Sequence, residues 1–414
     1  MNSLFISEYW PPDSKGGGEE SASALAHALS EQGVQITVLT SICKGLPAET
    51  QQGKVRVLRR IMTGTNPGSF LSNIQRTLVF PFSAKKQIKK LLTKETFDAL
   101  HYVNVSSVMG KTTPKITPQG IRSFVHTNSP LFFCPKGTLM YSDKKECHYT
   151  CTPLRFVECF LHSNVFGKLK NSWYYKYNPA LWLALYALFR IRLSRLKQFE
   201  TYIAVSGFMQ QKLLEIGITK NRIHVISNIV ELQTQSAQHK TPHLLYLGDY
   251  LPQKGVRELL QALTQVRGTY TCNFYGSGPL CGEMQNFITQ HSLTHVQLNT
   301  RIPQEKVLAT IAAHDIIIQP SLVPEAMSRT VLQAMAAGKA VITSNRGGMR
   351  DYIQQGKHGL LINPDKPKEI AHAIETCLAS TTREKLGRNA RKKIQQTSSA
   401  KKVTDEFLRL YNTN

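Results

Sequence analysis

Residues 319–342 read QPSLVPEAMSRTVLQAMAAGKAVI and follow a short apolar run at 316–318. That run is typical of a buried strand, residues 330–337 have the apolar spacing of a helix, and residues 340–343 form a second apolar run. This order of strand, loop, helix and strand is the unit that builds parallel sheets. The stretch therefore predicts an α/β domain with Glu325 in the loop that follows a strand.

The loop between this strand and helix is a candidate binding site. Ser328, Arg329 and Thr330 stand at the predicted helix start, where backbone N–H groups and the helix dipole attract a phosphate. The carboxylate of Glu325 can accept strong hydrogen bonds, which sugar hydroxyls would supply.

The same alternation of strands and helices runs along the whole chain. A strand at 4–6, the glycine cluster 16–18, a helical pattern and a strand at 34–39 form one unit near the start. The pattern begins again after the polar residues 232–243, with a strand at 243–247 and then a helix. Because 414 residues are more than one ordinary core needs, we expect two doubly wound α/β domains.

The 319–342 run resembles the signature of family-four glycosyltransferases, in which two acidic residues stand seven residues apart. Glu325 matches the first acidic position, and Gln333 stands at the second. The resemblance covers nearly the whole chain and implies the GT-B fold, in which two Rossmann-like domains face each other across a cleft. The polar stretch at 232–243 gives the boundary between the two domains. By the resemblance, residues 1–232, joined by a C-terminal helix at 398–414, form an acceptor-side domain, and residues 233–397 form the donor-binding domain.

Residues 247–255 are similar to the family's strand and loop that carry an Arg and a Lys to the donor diphosphate. Lys254 matches the Lys, whereas Asp249 occupies the usual Arg position and reverses its charge. The sequence offers three other cations that could replace this Arg. They are Arg301, Arg329 and Arg346.

Glycine turns and one histidine complete the resemblance. Gly276 and Gly278 belong to a turn similar to one beside the family's donor site, and Gly17 and Gly18 resemble its N-terminal glycine loop. His126 ends a predicted strand where the family has a His that binds a donor sugar hydroxyl.

The resemblance implies a retaining enzyme that moves a hexosyl unit from a UDP- or GDP-sugar to a lipid-linked or polysaccharide acceptor in cell-surface glycan assembly. Glu325, His126 and Lys254 would carry the chemistry. The nucleotide sugar would be held by Gly17, Gly18, Gly248, Lys254, Gly276, Gly278, Ser328, Arg329, Thr330 and Gln333, with Gln333 facing the ribose. The transfer itself is expected to need no cofactor, because Lys254 and a helix start would stabilise the leaving diphosphate.

Four of the eight cysteines fall within 26 residues. They are Cys134, Cys147, Cys151 and Cys159. Clustered thiolates can bind a structural zinc ion, but paired Cys-x2-Cys spacings are missing. A zinc site, a disulfide and free thiols are therefore alternatives at this point.

The formal net charge is +24, which favours anionic partners such as phosphates or lipid headgroups. Five lysines between 85 and 94 lie in a predicted helix, and the apolar stretch at 179–189 is about half of what a bilayer-spanning helix needs. No secretory signal pattern opens the chain. We expect a cytoplasmic protein, peripheral on the inner face of the cell membrane, and no nucleic-acid partner, because no groove-reading motif is present.

Two other interpretations use the same residues. A GT-B-like nucleotide-sugar epimerase would convert the donor without any acceptor. A degenerate, non-catalytic subunit would bind nucleotide weakly, and the departures at Asp249 and Gln333 motivate this alternative.

Overall fold

The computed structural model describes residues 1–14, 16–64, 70–104, 120–142, 145–147, 151–163, 177–232 and 239–412, with the backbone alone over 70–78. The chain forms two compact units. The first unit is Met1–Asn228 with Thr404–Asn414, and the second unit is Ile229–Val403. The polar stretch predicted as a linker falls partly outside the described residues, at 233–238.

A mostly parallel sheet forms the centre of the first unit. The strands described there are β1 (Asn2–Ile6), β2 (Gln35–Ser41), β3 (Glu49–Gln52), β4 (Val55–Ile61), β5 (Ala99–Tyr102), β6 (Arg122–Thr127), β7 (Met140–Tyr141), β8 (Lys145–Glu146), β9 (Thr201–Ala204) and β10 (Ile223–Val225). The sheet has the order β10-β9-β6-β5-β1-β2-β4-β3, and only β3 and β4 pair antiparallel. β7 and β8 form a separate hairpin.

Helices connect these strands. Those described in the first unit are α1 (Gly17–Glu31), α2 (Phe70–Leu92), α3 (Pro153–Leu161), α4 (Pro179–Leu196) and α5 (Gly207–Glu215). Side chains cap three of them, because Thr152, Asn178 and Ser206 each accept a hydrogen bond from a backbone N–H of the first turn. None of the helices that the structure describes has both the length and the apolar content to cross a bilayer.

A second parallel sheet organises the second unit. Its strands are β11 (His243–Leu247), β12 (Thr271–Tyr275), β13 (Val296–Asn299), β14 (Ile316–Gln319), β15 (Ala340–Ser344) and β16 (Leu360–Ile362), in the order β13-β12-β11-β14-β15-β16. The helices are α6 (Val256–Leu263), α7 (Cys281–Gln290), α8 (Val307–Ala312), α9 (Arg329–Ala336), α10 (Met349–Tyr352), α11 (Pro367–Leu378) and α12 (Ser380–Thr397).

Apolar clusters cover both faces of this second sheet. Ile316 and Ile318 point into one cluster and Ile317 into the other, and all three are fully buried. A strand that is buried on both faces must be apolar at every position. This is why the run at 316–318 is continuous rather than alternating.

The last helix, α13 (Ala400–Asn412), starts in the second unit and ends in the first. Val403, Phe407 and Tyr411 recur every four residues and are buried. Arg122 fixes the helix end, because its Nη1 donates to the carbonyls of Leu410 at 2.8 Å and Tyr411 at 3.2 Å. The final turns of α13 are therefore part of the first unit's core.

Candidate functional site

The order of the second sheet determines where a ligand can bind. Counted within the unit, the strands run 3-2-1-4-5-6, so the direction of strand addition reverses between β11 and β14. In open α/β sheets, the crevice outside the carboxyl ends of the strands at such a reversal is the usual ligand site. Lys254 lies in the loop after β11, and Glu325 lies in the loop after β14.

Backbone contacts hold these two loops together. Pro252–Lys254 forms a 3-10 turn, and the N–H of Leu322 donates to the carbonyl of Gln253 at 2.9 Å. Gly255 ends the turn with φ 71°, and a Cβ at this position would overlap the carbonyl oxygen of Pro320. The turn therefore needs glycine both for its backbone conformation and for this close approach.

Lys254 and Glu325 form an ion pair at the reversal point. Nζ of Lys254 lies 2.7 Å from Oε1 of Glu325, and the Ser321 hydroxyl donates to the same oxygen. The Lys254 and Glu325 side chains are 30% and 23% exposed, which leaves both accessible to a ligand.

The pair keeps both groups charged. Burial alone would raise the pKa of Glu325, but the charge and hydrogen bond of Lys254, together with the Ser321 hydrogen bond, outweigh burial and lower that pKa. The negative charge of Glu325 raises the pKa of Lys254 above its usual value, against the effect of burial. At neutral pH the site therefore holds a fixed cation beside a carboxylate.

The turn after β15 positions the backbone of Glu325. The N–H of Gly348 donates to the carbonyl of Glu325 at 2.8 Å. Gly347 has φ 68°, and a Cβ there would overlap the same carbonyl oxygen. The two glycines at 347 and 348 therefore let this turn pack directly against the loop that carries Glu325.

Helix α9 starts three residues beyond Ala326. Ser328 is its N-cap, and the Ser328 hydroxyl accepts a hydrogen bond from the N–H of Val331 at 3.4 Å. Arg329 and Thr330 form the first turn of the helix and are partly buried. Gln333 is 5% exposed, on the buried side of the same helix. Contacts of these residues with a phosphate or a ribose stay predictions.

Asp249 places negative charge near Lys254. Its side chain is exposed, its backbone carbonyl accepts a hydrogen bond from the Tyr246 hydroxyl at 2.9 Å, and its carboxylate contributes to the raised pKa of Lys254. Of the three candidate replacement cations, Arg346 is occupied, because it donates to the carbonyl of Leu322 and to Asp365. Arg346 therefore holds the loop in place.

The glycine turns predicted for the donor site meet at the ends of β11 and β12. The N–H of Gly248 donates to the carbonyl of Tyr275 at 3.0 Å, and the N–H of Tyr250 donates to the carbonyl of Ser277 at 2.9 Å. Ser277 stands between Gly276 and Gly278. The structure thus brings Gly248, Gly276 and Gly278 into adjacent turns at the edge of the sheet where Lys254 lies.

In the first unit, the strand order reverses between β1 and β5. Gly17 and Gly18 begin α1 after β1, and a Cβ on Gly18 would lie 3.2 Å from Nδ2 of Asn128, which follows β6. Two acidic residues, Glu19 and Glu20, occupy the first turn of α1. Their charge interacts favourably with the helix start and competes there with a bound phosphate.

His126 is the penultimate residue of β6 and is buried, with 7% of its surface exposed. Its Nε2 lies 2.9 Å from Nδ1 of His101, and its ring stacks on Phe407 at 5.8 Å. Burial lowers the pKa of His126 to about 3, so the ring is neutral at physiological pH. The predicted sugar contact therefore requires a neutral imidazole and is not shown by the structure.

The four clustered cysteines line one cavity of about 40 Å³. They are Cys134, Cys147, Cys151 and Cys159, and none of these four is part of a disulfide. Burial, and then the neighbouring thiols, raise the pKa of Cys151 to about 12. Within the described ranges, no group of three or more His, Cys, Asp or Glu residues is arranged to hold a metal ion. The geometry thus gives the predicted zinc site no support.

Two features of these sites were not anticipated from the sequence. Ser321 lies within the 319–342 run, but nothing in the sequence indicates its hydrogen bond to Glu325. The link of His126 to His101 and α13 was also missed. The four-residue spacing of apolar side chains in α13 predicts that one face of the helix is buried. It does not predict what that face contacts, because His101, the partner of Tyr411, lies about 300 residues earlier in the chain.

Two family models together match nearly the whole chain. The family model described as Glycosyltransferase Family 4 matches residues 15–234, and the model described as Glycosyl transferases group 1 matches residues 230–393. A lipopolysaccharide 1,2-N-acetylglucosaminetransferase of Salmonella typhimurium is 29% identical over 179 residues, which are 40% of this chain and 46% of that protein. The chain matches about half the length of several curated relatives.

Two solved structures share the fold over nearly the whole chain. Sucrose-phosphate synthase from Thermosynechococcus elongatus has a TM-score of 0.76 and 17% identity, over 99% of this chain and 98% of that one. Anabaena HepE in complex with UDP and glucose has a TM-score of 0.68 and 16% identity, over 99% of both chains. The predicted GT-B fold, with two Rossmann-like domains, is confirmed. Because one family model covers more than half of its residues, the chain belongs to glycosyltransferase family 4.

Proposed function

We propose that this protein is a retaining glycosyltransferase that moves a hexosyl unit from a UDP- or GDP-sugar to a lipid-linked or polysaccharide acceptor in cell-surface glycan assembly. The observation that carries the proposal is the Lys254–Glu325 pair, at 2.7 Å, outside the point where the strand order of the second sheet reverses. Family membership, the UDP and glucose bound by the Anabaena structure, and the lipopolysaccharide relative are the supporting comparisons.

Each group of the pair has a role in this reaction. An ammonium group has three N–H donors, so Lys254 can hold Glu325 and a diphosphate oxygen together and stabilise the charge that develops as the diphosphate leaves. Glu325 would accept hydrogen bonds from the donor sugar. The start of α9 at Ser328, Arg329 and Thr330 would add its dipole. These groups supply the positive field that the transfer needs without a metal ion.

The other predicted residues would complete the donor site. Gly248, Gly276 and Gly278 would let backbone approach the nucleotide, and Gln333 would face its ribose. Gly17 and Gly18 would do the same for the donor phosphate and the acceptor in the first unit. His126 would bind a sugar hydroxyl through neutral imidazole. Retention of the anomeric configuration is part of the proposal, with the leaving phosphate taking the acceptor proton.

Calorimetry with UDP and GDP tests the site. We expect Lys254→Ala to weaken binding of the preferred nucleotide by roughly tenfold or more, because a charge-assisted hydrogen bond contributes about 1.5–3 kcal/mol. Lys212→Ala is a matched control, since Lys212 pairs with Glu215 in the first unit at 2.8 Å. Unchanged nucleotide affinity in Lys254→Ala, or equal losses in both variants, would contradict the proposed site.

Asp249 favours a second candidate function, a non-catalytic family member. A carboxylate close to Lys254 opposes the approach of a diphosphate. Incubation with UDP-glucose and GDP-mannose, followed by product analysis, distinguishes the candidates. With water taking the place of the missing acceptor, a transferase slowly releases UDP or GDP together with the free sugar. An epimerase returns an isomeric nucleotide sugar, and a non-catalytic subunit leaves both donors intact.

The acceptor proposal includes an anionic membrane surface. On α2, Phe82, Lys86, Lys89 and Lys90 recur at helical spacing and are exposed, and Phe82 is 73% exposed. An aromatic residue beside a lysine row is typical of surfaces that lie on anionic lipid, where each Lys contributes about 1 kcal/mol.

Vesicle flotation tests this surface. We expect the protein to float with phosphatidylglycerol vesicles and not with phosphatidylcholine vesicles. The triple variant Lys86→Glu, Lys89→Glu, Lys90→Glu should lose flotation. Three exposed lysines of the second unit, Lys240, Lys357 and Lys368, changed to Glu in the same way, provide the control of equal net charge. If both triple variants lose flotation equally, the net charge of the protein, and not the lysine surface of α2, determines vesicle binding.

A further inference from the structure

A chain of hydrogen bonds joins α13 to His126 inside the first unit. The Tyr411 hydroxyl lies 2.7 Å from Nε2 of His101, and Nδ1 of His101 lies 2.9 Å from Nε2 of His126. His101 is fully buried in the middle, whereas His126 at one end keeps 7% of its surface exposed. This series of hydrogen bonds therefore leads from α13 to the carboxyl end of β6.

Ring contacts hold the members of this chain in place. His101 is stacked between Phe5 and Phe124, with centroid distances of 4.5 and 4.7 Å. His126 stacks on Phe407 with an interplanar angle of 13°. Neither imidazole can turn without disturbing an aromatic neighbour, so the hydrogen-bond pattern is tied to the position of α13.

A neutral imidazole has one N–H and one acceptor nitrogen, so each bond in the chain determines the next. If the Tyr411 hydroxyl donates to Nε2 of His101, the His101 proton is on Nδ1 and donates to Nε2 of His126. The proton of His126 is then on Nδ1 of His126, the ring nitrogen that takes no part in this series of hydrogen bonds. Burial lowers the pKa of both histidines, which keeps both rings neutral.

We propose that Tyr411 and Phe407 are positioning residues for sugar transfer. Through His101, Tyr411 selects the His126 tautomer with a proton on Nδ1, and Phe407 fixes the angle of the His126 ring. This inference rests on the proposed function, in which His126 binds a donor sugar hydroxyl. It extends that function by making the tail helix of the chain part of the site.

The test variant is Tyr411→Phe, which removes the hydroxyl and keeps the ring. NMR of protein labelled with ¹⁵N-histidine reports which ring nitrogen carries the proton. We expect His126 to be protonated at Nδ1 in the wild type and to become a mixture of tautomers in Tyr411→Phe. With water as the acceptor, the kcat for hydrolytic nucleotide release from UDP-glucose or GDP-mannose should fall about tenfold. The KM should change less than twofold, because one transition-state contact is lost.

Tyr202→Phe is the matched control, because the buried Tyr202 hydroxyl also donates a short hydrogen bond, but to the backbone carbonyl of Leu196 at 2.6 Å instead of a histidine. His101→Asn is a rescue variant, since its amide can donate in place of Nδ1. In the His101→Asn background, Tyr411→Phe should have no further effect on the His126 tautomer or on kcat.

An unchanged His126 tautomer in Tyr411→Phe overturns the inference. So does a changed tautomer with a kcat equal to that of the Tyr202→Phe control. If the wild type releases nucleotide from neither donor, the proposed function fails separately, and the NMR comparison alone then decides whether Tyr411 controls His126.

Discussion

At the scale of single residues, the proposed chemistry of the second unit requires Lys254 to bind a ligand while it is paired with Glu325. Lys254 donates to Glu325, and Glu325 is also held by Ser321, so the carboxylate cannot swing away from the cation. The exposed 30% of the Lys254 side chain leaves donors for a diphosphate. Ser321 therefore acts on Lys254 indirectly, through the orientation of Glu325.

The charge of Asp249 gives a prediction about affinity. We expect Asp249→Arg to tighten UDP or GDP binding about thirtyfold, because two charges close together in water interact by about 1 kcal/mol and the substitution changes two charge units, about 2 kcal/mol in total. Asp249→Asn should have an intermediate effect. Calorimetry at low and high salt checks this, since the gain should shrink as screening increases. Affinities that do not follow the order Asp, Asn, Arg would contradict an unfavourable role for Asp249.

The buried histidine of the first unit gives a prediction about pH. The folded pKa of His126 is about 3, below the ordinary 6.5, so between these values the unfolded chain binds a proton that the folded chain does not. Stability is therefore complete above pH 6.5 and falls as the pH drops, by up to about 1.4 kcal/mol per pH unit. Urea unfolding between pH 7 and 4.5 should show this slope reduced in His126→Gln. The same change at the exposed His372 is the control, and equal slopes in the wild type and His126→Gln would refute the effect.

Individual residues were predictable where a motif combined type and position. Glu325 and Lys254 each follow a strand in a recognisable loop, and the structure pairs their side chains. Their roles in binding and catalysis stay predictions. The Ser321 bond depends on one side-chain torsion, and the Tyr411 contact joins residues far apart in the chain, so neither has a local signal. Zinc is one of three alternatives for the four cysteines because they are close in sequence. The structure places them around one cavity, but the residues it describes there have no metal-site arrangement.

At the scale of elements, the sequence predicted long, strongly patterned pieces well. The helix expected at 330–337 is observed at Arg329–Ala336, and the strand expected at 243–247 is observed at His243–Leu247. Strand β3, with sequence ETQQ, was missed because a polar edge strand has no apolar pattern. The strand order could not be predicted, because it depends on contacts between distant segments.

The turn at Gly255 gives a prediction about the junction of two elements. Gly255→Ala should destabilise the second unit by more than about 2 kcal/mol, because the new Cβ meets the Pro320 carbonyl and the backbone has φ 71°. Gly282→Ala is the control, since a Cβ there has open space within α7 and should stabilise the helix by up to about 1 kcal/mol. Thermal unfolding measures both changes. A Gly255→Ala variant as stable as the wild type would show that the loops after β11 and β14 can move apart without loss of unfolding free energy.

At the scale of the whole molecule, the first unit is built from two distant parts of the chain. Removing residues 404–414 takes away Phe407 and Tyr411, whose burial contributes about 3–6 kcal/mol together. We expect the deletion to speed hydrogen exchange in β5 and β6 at least tenfold, while β14 of the second unit stays protected and serves as the internal reference. Equal exchange with and without residues 404–414 would mean that α13 is dispensable for this core.

Because the first unit combines two distant segments of the chain, its core cannot be completed until residues 404–414 have been translated. Residues 229–403 are translated before residues 404–414, and at about 5–20 residues per second this takes about 10–35 s. During that interval the nascent chain carries Phe124 and His101 uncovered at the place later filled by Phe407 and Tyr411. A ribosome-bound chaperone that binds aromatic surface would have its main opportunity in this interval, before the last helix emerges.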